Sequence, residues 1–453
     1  IALGLRGATF DLDMTQTRSK DKITNTDGAL LLPGIFEDPW LPLARLRSAV
    51  HWQVDGEQLA VQVSDTQFSN SDAEGELRAS WHTSDAATAR GRSRFPGVLD
   101  LSGKLNRADG TRVHRYLPLV VPAQARHYVR DAVVAGKATG VDFKVQGDLH
   151  DMPFTQPGQG TFRIAAQVKD VTYDYVPARL QGQGELPWPA LKNLAGELVF
   201  ERASMRINGA KGTFEGTRAV QLSQVQAQIA DLAHTVVDVG AEARGPLAEL
   251  LGVMKSSPVS AWTGHALDQA TAVGAATLRL NLSLPIASLN QSQVRGSVVL
   301  ANNDVRITPH TPALTRSRGT VEFSESGFSL KGVQARALGG DVQLEGGMQS
   351  LPAQAPPTQS ALQLRAQGTA SAEGLQRSQE LGFLAQLARN ASGSAPYTMA
   401  LTLRRGVPEV LVSSSLQGLA LHLPPPFAKS AESALPIRFE RRLTDAALRP
   451  ARS

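Results

Sequence analysis

Cysteine is absent from all 453 residues, which excludes disulfides, thiolate catalysis and cysteine-ligated metal. Aromatic residues are scarce, at 5%, although hydrophobic residues together reach 42%. The chain can therefore bury a core, but its apolar faces have to be built mainly from Leu, Val, Ile and Ala. No stretch approaches the ~18–20 consecutive apolar residues that a transmembrane helix needs, and no signal-peptide pattern is visible. The chain starts at Ile1 rather than Met and stops at Leu448-Arg-Pro-Ala-Arg-Ser453, so both ends read as cut from something longer, with any anchor or targeting segment outside this sequence. Lys+Arg exceed Asp+Glu by 46 − 41 = 5. These charges are scattered, with no basic block and no interleaving of aromatic and basic residues, so no nucleic-acid partner is expected.

Catalytic signatures are missing too. There is no G-x-S-x-G elbow, no phosphate loop, no G-x-G-x-x-G fingerprint and no H-E-x-x-H. The nine histidines, at 51, 82, 114, 127, 150, 234, 265, 310 and 422, never fall within five residues of one another, so no element carries metal-ligand spacing. His150-Asp151 and Asp13 sit near expected strand ends, where a turn or cap is the simpler reading than acid–base chemistry. Trp188 and Trp262 read as packing anchors. No enzyme activity, cofactor or metal is expected.

What the chain does have is a repeat. Leu194-Ala-Gly196-Glu-Leu198-Val-Phe200-Glu-Arg-Ala-Ser-Met205-Arg-Ile207 returns as Ser317-Arg-Gly319-Thr-Val321-Glu-Phe323-Ser-Glu-Ser-Gly-Phe328-Ser-Leu330. In each copy a Gly opens a run of alternating apolar residues, a short polar break follows, and a second alternating run closes the pattern. Period two places these side chains on one face of a strand, and the break suits a hairpin. Ser48-Ala-Val-His-Trp52, followed by Leu59 and Val61, is a looser copy.

Alternation dominates elsewhere, for example over Val141–Val145, Leu278–Leu284, Val342–Leu344, Leu362–Leu364 and Tyr397–Leu403. Three stretches break it with helical spacing. Pro122–Gly136 puts Ala125, Tyr128, Val129, Ala132 and Val133 on one helical face; Pro246–Met254 does the same with Leu247, Leu250, Leu251 and Met254; Ala372–Asn390 carries Leu381, Leu384 and Leu387. Ser350–Gln359 reads as a flexible loop and Pro424–Pro426 as a rigid break. The expected fold is mainly β: an elongated, twisted antiparallel β-sheet trough, or repeating β-groove, with a few short amphipathic helices. Its units run 1–112, 113–244, 245–371 and 372–453, the first and last incomplete.

Such a chain has too few helices to cover the apolar side of its sheet. Either the sheet folds on itself and the face is ordinary core, or part of the face is an open groove whose cover is a ligand. Aliphatic walls suit flexible acyl chains: at ~0.8 kcal/mol per methylene, a 16-carbon chain gains on the order of 12 kcal/mol from burial. The candidate lining residues are Leu59, Val61, Val63, Val141, Phe143, Val145, Leu198, Phe200, Met205, Ile207, Leu278, Leu280, Leu282, Val321, Phe323, Phe328 and Leu330. A carbohydrate-active β-helix enzyme would instead need clustered carboxylates on one exposed face.

A family resemblance rests on the run Val113-His-Arg-Tyr116-Leu-Pro118, the helix ending at Gly136, and Gly147-Asp-Leu-His-Asp-Met-Pro153-Phe154. Gly160-Thr-Phe162, Leu186-Pro-Trp188-Pro189-Ala-Leu191, Ser256-Ser-Pro258 and Leu282-Ser-Leu284-Pro285 add to it, as does Gly319-Thr-Val-Glu-Phe323 with Leu338-Gly-Gly340 behind it. In their order and spacing, over about residues 1 to 425, these resemble the YhdP family of AsmA-like proteins. The resemblance implies a periplasmic protein of Gram-negative bacteria, anchored in the inner membrane, with a β-sheet trough that moves phospholipids between inner and outer membranes and supports the outer-membrane barrier. Implied partners are phospholipid acyl chains, the two membranes through segments not present here, and proteins at either end. The alternative is a structural or assembly protein of the outer membrane with a filled β core and no lipid conduit.

Overall fold

In the computed structural model, residues 4–15, 17–87, 92–119, 121–263, 265–288, 291–349, 362–404 and 407–442 are described. The expected loop at 350–359 and the Trp262 side chain lie outside the described residues. Strands account for 59% of the described residues, as one antiparallel sheet of 23, and short helices for 13%. The chain divides into two compact units, one of Ile1–Glu215, Leu222–Ala241 and Ser283–Ser292, the other of Gly216–Gln221, Glu242–Leu282 and Gln293–Ser453.

The first unit runs through β1 (Gly4–Met14), β2 (Arg18–Leu31), β3 (Trp40–Asp55), β4 (Gln58–Ser69), β5 (Ala73–His82) and β6 (Val98–Asp109), then helix α1 (Ala123–Ala132). It continues with β7 (Val133–Asp148), β8 (Gly160–Tyr173), β9 (Leu191–Glu201), β10 (Ser204–Phe214) and β11 (Gln221–Ile229), the register stepping from each strand to the next. Next come β12 (Val236–Pro246), α2 (Leu247–Lys255), α3 (Val259–Trp262), β13 (Thr271–Val273), β14 (Ala275–Pro285), β15 (Gln293–Arg306), β16 (Leu314–Ser324), β17 (Gly327–Ala337), β18 (Gly340–Gln349) and β19 (Leu362–Ser371). After α4 (Ala372–Arg377) and α5 (Phe383–Leu387), the chain ends in β20 (Ala391–Arg404), β21 (Val407–Ser414), β22 (Leu419–Leu421) and β23 (Ile437–Arg441).

The repeated pattern is a hairpin in both copies. Glu201 pairs with Ser204 and Ser324 with Gly327, each across a two-residue loop. Each second strand then carries a β-bulge at a left-handed glycine, Gly209 on β10 and Gly332 on β17, both at φ 58°. The bulges are offset by 332 − 209 = 123 residues. The opening glycines face them: a Cβ on Gly196 would stand 2.8 Å from Ala210 Cα, and one on Gly319 would stand 2.7 Å from Val333 Cα. Glycine is needed there because the bulged strand approaches too closely for any side chain. Left-handed residues also mark bulges on β4 (Asp65), β7 (Gly140), β8 (Asp170) and β16 (Arg316). A bulge bends its strand and increases the local twist.

The helices fall between β6 and β7, between β12 and β14, and between β19 and β20, where the apolar spacing placed them. Two details differ from expectation. The first helix stops at Ala132, because Val133 already pairs with Tyr173 on β8 and Gly136 belongs to β7 rather than to a helix end. The third is broken at Ser378 and at left-handed Gly382 into α4, α5 and two 3₁₀ turns. It buries Ala372, Ala385 and Ala388 and leaves Leu384 exposed with Phe383, so the expected Leu381–Leu384–Leu387 stripe is not the packing face.

Candidate functional site

Side chains directly opposite each other across an antiparallel pair share a face, so the register shows which candidates meet. In the first unit, Phe143 pairs with Ile164, Ile164 with Phe200, Phe200 with Met205, and Met205 with Ile229. Beside this row, Leu198 pairs with Ala166 and Ile207. On the other side, Val145 continues through Leu101 and Ala79 to Val63 and Val50. Val61 pairs with Trp52 and Trp81, Val141 with Leu105, and Leu59 with Val54 near a hairpin tip.

The second unit repeats the arrangement. Val321 pairs with Val298 and Leu330, and the row continues through Gly346, Leu364 and Leu401 to Val410. Alongside it runs Phe323–Phe328–Met348–Leu362. Leu278, Leu280 and Leu282 alternate on β14 with exposed Arg279 and Asn281.

All the candidate residues are half-buried except Val141 and Val145, which are buried. Half-burial is what a single apolar layer gives when its neighbours shield the flanks of a side chain and the described residues cover its top only in part. Phe143 and Phe323 are set alike. Each pairs with a glycine on the preceding strand, Gly103 and Gly296, and a Cβ there would come within 2.4 and 2.3 Å of the ring. The rings lie over the glycines and fill the gap a missing side chain leaves.

Past the bulges the same face is sealed. On β10, Ala210, Gly212 and Phe214 are buried; on β17, Val333, Ala335 and Ala337 are buried, the first two at 4% exposure. Ala335, Ala337, Val342 and Ala366 form one cluster with Leu344, Tyr397 and Met399 against it, and Ala372 of α4 joins Ala395 and Leu419 in another. In the first unit, α1 covers its end of the face through Tyr128, whose hydroxyl meets Tyr173 at 2.7 Å and the Tyr175 carbonyl at 3.0 Å. Burial, with Tyr173 beside it, pushes the Tyr128 phenol well above its usual value, and burial likewise raises Tyr175. Trp188 packs against Tyr175 with ring centroids 5.9 Å apart, in keeping with an anchor. The opposite face of the sheet carries polar cross-strand pairs such as Lys104–Asp142 at 3.6 Å and Asn208–Glu197 at 3.1 Å, which suit a wetted surface and contribute at most about 1 kcal/mol each.

Two residues that cover the inner face were not among the candidates. Phe154, fully buried, lies on the paired glycines Gly147 and Gly160 and so covers one end of the β7–β8 row. Phe95 stacks on Trp81 at 6.1 Å, over the Val61–Trp81–Leu99 row. His150 and Asp151 occupy a 3₁₀ turn capped by Asp148, as a turn reading expects. Asp13 is an exposed residue near the end of β1.

One Ser–His–Asp gathering occurs after α3. Ser260 Oγ lies 3.0 Å from His265 Nδ1 and donates to Asp268 at 2.6 Å, and the same Nδ1 is 2.8 Å from Asp268. A proton relay needs the serine and the carboxylate on different ring nitrogens. Here both share one, and the serine is buried, so the group closes a turn. Among the described residues, no three His, Asp or Glu side chains are placed to hold a metal ion, and no helix is long and apolar enough to cross a membrane.

Searches of curated proteins and of solved structures returned no match. The sequence pattern of the YhdP protein family matches residues 3–450, nearly the whole chain, and its expected β-groove agrees with the half-buried apolar ladders of both units. The chain belongs to the YhdP family.

Proposed function

We propose that this chain carries phospholipids along the half-buried part of its apolar sheet face. The acyl chains lie across the ladders of Phe143, Phe200 and Met205 in the first unit and of Val321, Leu330 and Leu364 in the second. The setting is the periplasm, in a protein anchored to the inner membrane, and the route runs between inner and outer membranes in support of the outer-membrane barrier. The observation that carries this reading is that large aliphatic and aromatic side chains stand opposite one another, partly uncovered, across four strands in the first unit and across three strands on either side of Gly346 in the second. A free apolar layer of that width is a liability in water unless something lies on it, and a row of this kind offers an acyl chain burial without specific polar contacts.

Native mass spectrometry of the purified chain tests the reading: phospholipid bound to the folded protein is the expected result, and lipid-free protein after expression in a lipid-rich envelope is the contrary one. A second reading, a structural protein with a filled core, draws support from buried Val141 and Val145 and from Phe154 over Gly147 and Gly160. It predicts the lipid-free outcome.

A further inference from the structure

The inner face of the first unit is not apolar throughout. On β2 the residues that alternate onto it are Ser19, Asp21, Ile23 and Asn25, and of these Ser19, Asp21 and Asn25 are buried. Ser48 on β3, opposite Ile23, and Thr66 on β4 are buried too. Part of this polar strip is satisfied internally, although Asn25 Oδ1 is buried with no hydrogen-bond partner among the described residues. Ser48 and Thr66 hydroxyls meet at 2.7 Å, and Asn25 donates to the Arg6 carbonyl at 2.7 Å, bracing the bulge at Gly7 and Gly28.

Asp21 is different. It is 8% exposed, its register partners are Leu12 and Val50, and its hydrogen bond comes from the Ser19 hydroxyl. Lys20 and Lys22 flank it in sequence but alternate onto the opposite, exposed face. Among the described residues no cationic side chain pairs with it. A carboxylate held out of water costs several kcal/mol unless a positive group or several donors meet it. The polar strip has no such group of its own, and Asp21 continues the Val145–Leu101–Ala79–Val63–Val50 row, which runs beside the ladder on which the proposed lipid lies.

We propose that Asp21, with Ser19 beside it, holds the ammonium of an amine-bearing phospholipid head group. A primary ammonium supplies both the missing charge and three hydrogen-bond donors. A glycerol head group has no positive charge, and a quaternary ammonium has no donor. The inference rests on the lipid-carrying reading above and adds a preference among lipids.

The test uses the purified 453-residue chain, incubated with vesicles of equimolar phosphatidylethanolamine and phosphatidylglycerol, separated from them, and extracted for lipid. The parent chain is expected to retain the amine lipid in about tenfold excess, the size of one charge-assisted hydrogen bond, and Asp21→Asn to retain both lipids equally with the total unchanged. Should Asp21→Asn fail to fold, Asp21→Glu, which keeps the charge but moves it by one methylene, and Ser19→Ala are expected to reduce the excess. Equal retention of both lipids by the parent, or an excess untouched by these variants, overturns the Asp21 assignment and leaves lipid carriage standing. No lipid retained by the parent overturns both.

Discussion

Strands β10 and β17 each have two halves, and the comparison between those halves carries the functional argument. On one side of the bulge glycine stand Met205 and Ile207, or Phe328 and Leu330, all half-buried. On the other side, along the same face, stand Ala210, Gly212 and Phe214, or Val333, Ala335 and Ala337, all buried. The covered halves are rich in small residues, which lets neighbouring backbone approach and close the face. The uncovered halves carry larger side chains and no cover among the described residues. A uniform core would bury both alike. The bulge therefore divides a buried part of the sheet from a half-buried part, and it is on the half-buried part that the proposed lipid lies.

The largest expected effect comes from placing a charge on either side of that division. Val333→Asp buries an unpaired carboxylate and should cost on the order of 3–5 kcal/mol, enough to lose cooperative unfolding of its unit in a denaturant titration. Leu330→Asp, three positions earlier, can turn its carboxylate to water. It should cost under about 2 kcal/mol, on the scale of one partly buried side chain, while abolishing lipid retention. Equal destabilisation by both would break the comparison.

A smaller effect separates two phenylalanines. Phe214 is buried and Phe328 half-buried. Truncation to Ala should cost about 3–5 kcal/mol at Phe214 and about half that at Phe328, read as shifts in denaturant midpoint at constant m-value.

The smallest is a pH effect at helix α2. Glu249 of α2 accepts backbone N–H groups of Ala219, Arg218 and Val220 at 3.0, 2.9 and 3.3 Å, and these bonds hold its carboxyl below the usual value of 4.5. A lowered folded-state pKa means that this stabilisation is complete above the unfolded value and is lost as pH falls through the folded one. Thermal unfolding should show this component of acid destabilisation in the parent and not in Glu249→Gln. Identical acid limbs would mean that the contact does not hold α2 in place.

Much of this was legible in the sequence. Period-two alternation located the strands, and the Gly-x-Leu/Val-x-Phe repeat identified both hairpins and the face their side chains share, because those signals are local. The bulges were less legible. Gly209 and Gly332 carry a glycine signal, but Asp170 and Arg316 take the same left-handed conformation, which their residue types do not announce and which only pairing with neighbouring strands imposes. The third helix misled because leucine spacing cannot reveal a break at Gly382, nor that Ala385 and Ala388 pack while Leu384 faces water. The roles of Phe154 and Asp21 were not legible for a related reason: they depend on which residues the fold brings against them, such as Gly160 beneath Phe154 and Val50 beside Asp21.

The most direct test is to irradiate the folded chain with a phospholipid carrying a diazirine near the end of an acyl chain and to map the adducts by mass spectrometry. The account predicts adducts on Phe328, Leu330 and Leu364 and none on Val333, Ala335 or Ala337. Adducts spread equally over both halves of β17, or confined to the opposite face of the sheet, would contradict it.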